Sequence, residues 1–116
     1  MWVYAQDSGH TYGQSLVGFV VEAMDGSIGH VDRQQDQPGM QHLVVDTGVW
    51  KFGRSVLIPA GAVIAINARA QTVKVVPSRQ EIKAAPRFTT DSETGDPDYL
   101  STVGDYYLSL RSRRLR

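Results

Sequence analysis

Between residues 18 and 86, short apolar, β-branched segments at 19–21, 27–31, 42–46, 55–58, 62–67 and 72–76 are each cut from the next by Gly, Asp, Asn or Pro. Even spacing with turn chemistry between segments predicts a small antiparallel barrel or sandwich. Asp25-Gly26, set between residues 19–24 and 27–33, is the strongest short-range hairpin signal in the chain, so the first two strands pair. Residues 34–40 (QQDQPGM) read as a polar Pro-Gly loop, and residues 48–54 as a second loop built around Trp50 and Phe52. Pro59-Ala60-Gly61 breaks the next strand pair, and residues 67–71 turn the chain into the last strand. Residues 78–85 predict a short capping helix, with Ser78 as cap, Glu81 at the reciprocal capping-box position and Pro86 as stop.

The pattern changes on either side of this zone. Residues 1–15 form a polar lead whose early apolar group is Trp2, Val3 and Tyr4, either an added edge strand or a disordered segment. Residues 16–88 are the β domain, and residues 89–98 (TTDSETGDPD) are acidic, poor in apolar side chains and linker-like. In the closing segment, 99–116, Tyr99, Leu100, Val103, Tyr106, Tyr107 and Leu110 fall at offsets 0, 1, 4, 7, 8 and 11, one face of an amphipathic helix. Asp96 and Pro97 suit its start, and Arg111, Arg113, Arg114 and Arg116 complement its dipole. Gly104 inside it costs roughly 1 kcal/mol against alanine, and an isolated helix of this length is marginal in water. The helix therefore needs a surface to pack on.

Composition narrows the function classes. At 116 residues the chain supports one domain, which buries roughly 65% of the surface its unfolded form exposes. Twelve Lys and Arg offset twelve Asp and Glu, so no global field draws the chain to nucleic acid or anionic lipid. The absence of cysteine removes disulfides, thiolate nucleophiles and cysteine-based zinc sites. The first residues lack a basic and a long apolar leader region, and no run approaches the ~18 apolar residues of a membrane span, so a cytoplasmic protein without a membrane segment is expected.

Candidate chemistry is sparse. His10, His30 and His42 form no recognised ligand spacing, Asp25, Asp32, Asp36 and Asp46 fit no calcium-loop pattern, and no nucleophile elbow or phosphate loop is present. No metal, cofactor or catalytic residue is expected. Trp50 and Phe52 are either a binding hot spot or a plug at one end of the β domain, and small cores favour the plug. The tyrosines of the closing helix suit an interface that is part apolar and part wet. Either the helix folds back on its own domain or it packs on a second copy, with a slight lean to the dimer. The four terminal arginines are either phosphate contacts or a dipole-matched, solubilising helix end, the second being favoured because the rest of the basic charge is thin and mixed.

Residues 19–24, Asp25-Gly26-Ser27-Ile28-Gly29-His30-Val31, Leu43-Val44-Val45-Asp46-Thr47-Gly48, Val56-Leu57-Ile58-Pro59-Ala60-Gly61-Ala62-Val63 and Ile82-Lys83-Ala84-Ala85-Pro86 together resemble, in order and spacing, the PRC-barrel family. That family includes the cytoplasmic domain of the photosynthetic reaction-centre H subunit and the C-terminal domain of the ribosome maturation factor. The resemblance covers about residues 16–88. It implies a β-barrel used for protein contacts and carries over no catalytic residue. The chain departs from both relatives, having no N-terminal membrane helix and no room for a further domain, and so resembles the bacterial single-domain members. The expectation is a mainly β, PRC-type antiparallel barrel with a short capping helix and a C-terminal amphipathic helix. Its first functional reading is a non-enzymatic interaction or scaffolding module that holds a protein partner or its own dimer mate. An RNA- or ribosome-associated factor using the arginine-rich end is the alternative, and a small-ligand sensor with a pocket near Trp50 the third.

Overall fold

The Asp25-Gly26 signal acts as its chemistry requires. In the computed structural model, which describes residues 1–48, 55–87 and 94–114, strand β1 (Val20–Ala23) turns there into β2 (Gly26–Gln35), with Ala23 opposite Gly26. β2 is long because it serves two partners: His30 faces Val20 on β1 and Asp46 on β3 (His42–Asp46). β3 pairs antiparallel with β4 (Ser55–Pro59), a 3-10 turn at Ala60–Ala62 follows, and β5 (Val63–Asn67) pairs antiparallel with β6 (Thr72–Val75). Helix α1 (Arg79–Lys83) carries the expected capping box: Ser78 Oγ accepts from the Glu81 amide at 3.1 Å, and Glu81 Oε1 accepts from the Ser78 amide at 2.9 Å. Helix α2 runs Pro97–Arg114.

The strands form one six-stranded sheet in the order β4-β3-β2-β1-β6-β5, and it is mixed. A wholly antiparallel sheet is expected from the spacing of the segments, but β1 and β6 pair parallel, Val21 opposite Val73. The parity of the pairings then gives β4 and β5 the same sense, so Pro59-Ala60-Gly61 does not make the expected strand pair: it carries the chain from one sheet edge to the other. Laid flat, those edges stand roughly 24 Å apart across five strand gaps, whereas the four steps from Pro59 to Val63 reach at most about 14 Å. The sheet must curl. Unpaired residues at Ile28, Asp32 and Ile64 mark three irregularities in the ladders, each of which bends and twists its strand. β4 and β5 share no ladder, so the curl is not closed into a barrel by pairing.

Curling places one face inside. Alternation along β3 and β4 puts Leu43, Val45, Val56 and Ile58 on one side, where all are at most 2% exposed in a core with Val21, Val31, Val73 and Val75. The other side of the same strands, His42, Val44, Leu57 and Pro59, is also buried, so elements outside the sheet must cover it. The lead does part of this. Main-chain bonds tie Met1 O to the Gly61 amide (2.6 Å), Trp2 O to the Gln41 amide (3.0 Å) and Ser8 O to the Ile66 amide (2.7 Å), and Tyr4 and Leu16 enter the core. Residues 1–15 thus form no strand, and main-chain bonds tie them to the sheet and its corner. The Trp2 indole meets the His42 ring edge-on at 5.9 Å, and α2 packs on β4 beside it.

His42 makes this layer pH-sensitive. Burial lowers its imidazole below the ordinary value of 6.5 and Arg33 adds to the effect, against an opposing contact between Nδ1 and the Met40 carbonyl at 3.0 Å. The unfolded chain therefore binds this proton more readily than the folded one. Stability is expected to be whole above about pH 6.5 and to fall as pH drops from there towards the depressed folded-state value. Urea unfolding at several pH values checks this: His42→Gln should flatten the acid limb, and identical pH profiles for the two proteins would remove His42 as its source.

Candidate functional site

The amphipathic stripe of α2 is closed on the chain's own sheet. Val103, Tyr107 and Leu110 are at most 2% exposed, Leu100, Tyr99 and Tyr106 are half-buried, and the polar tips of the last two are used in the same way. The Tyr99 hydroxyl donates to the Pro86 carbonyl at 3.0 Å, and the Tyr106 hydroxyl to the Glu81 carbonyl, so both phenols clamp α2 to α1 and its exit. Tyrosine here satisfies backbone carbonyls at a helix end, which otherwise lack partners. Gly104 also finds its reason: a Cβ there would stand 3.1 Å from Trp2 Nε1, so the helix approaches the indole only without a side chain at that position. All six stripe residues pack in or against the core of this chain, and Tyr99, Leu100 and Tyr106 keep part of their surface exposed.

Of the four arginines, Arg111 donates to the Gly61 carbonyl at 2.8 Å, which ties the last turns of α2 to the corner between β4 and β5. The side chains of Arg113 and Arg114, and the whole of Arg116, lie outside the described residues. Beside Arg111 a cleft of about 210 Å³ opens between α2, the 60–62 turn and Pro77, lined by Met1, Ala62, Val76, Tyr107 and Leu110. The Tyr107 hydroxyl is buried without a hydrogen-bond partner among the described residues. Burial, and then the neighbouring Tyr106 and Tyr99 phenols, push its ionisation far above the ordinary range, so it stays protonated at any physiological pH.

A second, polar cleft of about 340 Å³ lies at the bend of β2, lined by Ser27, Gly29, His30, Asp46, Thr47 and Arg79. Its walls are held by strands and by side chain to backbone bonds: Asp46 Oδ1 accepts from the Gly48 amide at 2.8 Å, and Asp25 Oδ1 from the Arg79 amide at 2.9 Å. Trp50 and Phe52 lie outside the described residues, but both roots of their segment are at this cleft: Gly48 lines it, and Ser55 pairs with Asp46. The histidines disperse. His30 is exposed here, His42 is buried under Trp2, and His10 stacks on Tyr4 (3.9 Å between ring centroids, 11° between planes) with Nε2 3.3 Å from Asp36 Oδ1, ion-pair distance without hydrogen-bond geometry. No group of three or more His, Asp or Glu able to hold a metal occurs among the described residues. No helix among them is long and apolar enough to cross a membrane.

The contact of Trp2 with His42 and the pairing of His10 with Asp36 carry no local signal in the sequence, because each joins the lead to residues far along the chain. Arg79 is legible only as the first helical residue after Ser78; its place at the polar cleft depends on the curl of the sheet. No protein-family model and no curated protein matches the chain. Among solved structures it is similar to a putative 16S ribosomal RNA processing protein, RimM, from Pseudomonas aeruginosa, with a TM-score of 0.48 and 20% sequence identity. That match covers 61% of this chain and 45% of the other, so the chain spans less than half of that protein's length.

Proposed function

We propose that this chain is a non-catalytic protein-binding module of PRC-barrel type, and that its contact end is the rim of the polar cleft from which segment 49–54 departs. The observation that carries the reading is the use of α2: its apolar stripe packs on the chain's own core, which favours the strand ends at the second cleft as the recognition surface. There a six-residue segment bearing Trp50, Phe52, Lys51 and Arg54 is anchored on both sides by ordered strands. Aromatic side chains are what interface hot spots use, and ordered residues flanking the segment lower the entropy lost on binding. The charge of the rim supports a protein over a nucleic acid, since Asp46 stands among His30 and Arg79, and phosphate recognition requires several cations acting together. The PRC assignment rests on the ordered segments of residues 16–88 and agrees with a mainly β, curled sheet followed by a capping helix.

Affinity capture from the native lysate tests this, using tagged full-length protein, with and without RNase, beside a Trp50→Ala, Phe52→Ala variant. Protein partners that survive RNase and fall at least about 30-fold in the variant, the loss typical of a 2 kcal/mol hot spot, are the expected result. Ribosomal proteins that vanish with RNase would overturn it in favour of an RNA-associated factor and turn attention to the terminal arginines. Capture unchanged by the variant would move the contact surface elsewhere, and the chain's own untagged copy as sole partner would make the module a homodimer.

A further inference from the structure

The cleft between α2 and the corner joining β4 to β5 has the composition of a small-molecule site. We propose that it binds a small apolar monocarboxylate, with the hydrocarbon part against Ala62, Val76, Pro77 and Leu110 and the carboxylate on the Arg111 guanidinium. Its walls are mostly apolar, with Arg111 among them, a common design for ligand pockets. A guanidinium has five donors in a planar fork; one bond to the Gly61 carbonyl is made, and no carboxylate of the described residues lies within ion-pair distance. The fork geometry matches a carboxylate bidentately, which a neutral or cationic ligand does not exploit.

The Tyr107 ring lines the same cleft, while its hydroxyl is buried without a partner among the described residues and has no surface open to the cleft. Ordered water suits mostly apolar walls less well than hydrocarbon does, because it needs two to four polar partners. The volume of about 210 Å³ limits the ligand to on the order of ten non-hydrogen atoms. That is the size of a medium-chain fatty acid or a small aryl acid. The site shares no lining residue with the cleft at the bend of β2 and does not depend on the function proposed there.

Octanoate is the probe. It is titrated into the full chain to about 10 mM with amide chemical shifts and calorimetry as readouts, beside octan-1-ol and octylamine. The expected result is saturable binding of octanoate with shifts centred on residues 61–62, 76–77 and 107–111, at least tenfold weaker binding of the alcohol, and none of the amine. Arg111→Gln, a change at an exposed side chain, should weaken octanoate at least tenfold while leaving the spectrum otherwise folded. Trp50→Ala with Phe52→Ala should bind octanoate as the parent does. Absence of saturable shifts, equal binding of octylamine, or undiminished binding by Arg111→Gln would each overturn the proposal.

Discussion

A Gly29→Ala variant is expected to lose about 3 kcal/mol or more of stability, equivalent to a fall in Tm of roughly 15 °C for a domain of this size. Gly29 sits at the bend where β2 passes from β1 to β3, with φ +152°, a region that disfavours side chains. A Cβ there would stand 2.0 Å from the Asp46 carbonyl oxygen and 3.0 Å from Thr47 Cα. Both neighbours are backbone, and Asp46 is paired to β2 and β4 at once, so neither moves without breaking a ladder. The same substitution would disturb the polar cleft, whose wall includes Gly29 and Asp46. Thermal and urea unfolding check the effect. A loss within about 0.5 kcal/mol would mean that the strands do not approach so closely there.

Ending the chain at Phe88 should cost more. Val103 and Leu110 alone remove enough apolar surface to contribute roughly 3–6 kcal/mol, an upper figure because the unfolded chain already hides part of it. Tyr107 adds a buried ring, and truncation would also release the Glu81, Pro86 and Gly61 carbonyls from their side-chain donors. Against a typical stability of about 5–15 kcal/mol, the shortened chain should melt at least 20 °C lower or lack a cooperative transition. Val103→Asp in the full chain tests the same contact without truncation, since it sets a carboxylate at a position with no exposure. An unchanged melting curve in both variants would show that α2 is no part of the fold. A transition that depends on protein concentration would instead show that the helix packs between copies.

Local chemistry was legible where its cause is local. The segments at 42–46, 55–58 and 72–76 match β3, β4 and β6 to within one residue, and the box of Ser78 with Glu81 starts α1 where the spacing of those two residues requires. The stripe of α2 is equally plain, because a helix repeats its faces every few residues regardless of what covers them. The destination of the stripe is a different matter. Tyr99 and Tyr106 fit a wet interface with a partner as well as they fit carbonyls of α1, and periodicity alone does not distinguish the two. Gly104 shows the same limit: its propensity cost is readable, whereas the Trp2 indole that makes glycine necessary there comes from the other end of the chain.

Sequence alone therefore determined the number of the strands among the described residues and the place of most of them, the first hairpin, the capped short helix and the amphipathic tail, but not the length of β2, which pairs on to Gln35 through residues that read as loop. These follow from backbone preferences and side-chain alternation over two to eleven residues. Tertiary structure decided the parallel pairing of β1 with β6, the corner at Pro59-Ala60-Gly61, the ordering of the lead, the docking of α2 on its own sheet and the two clefts. Each of these joins residues tens of positions apart, as Arg111 joins Gly61 and Tyr106 joins Glu81. Local patterning marks a face as apolar or a turn as sharp, but the surface that meets it is selected by the burial and hydrogen-bond satisfaction of the whole chain, which no window of the sequence contains.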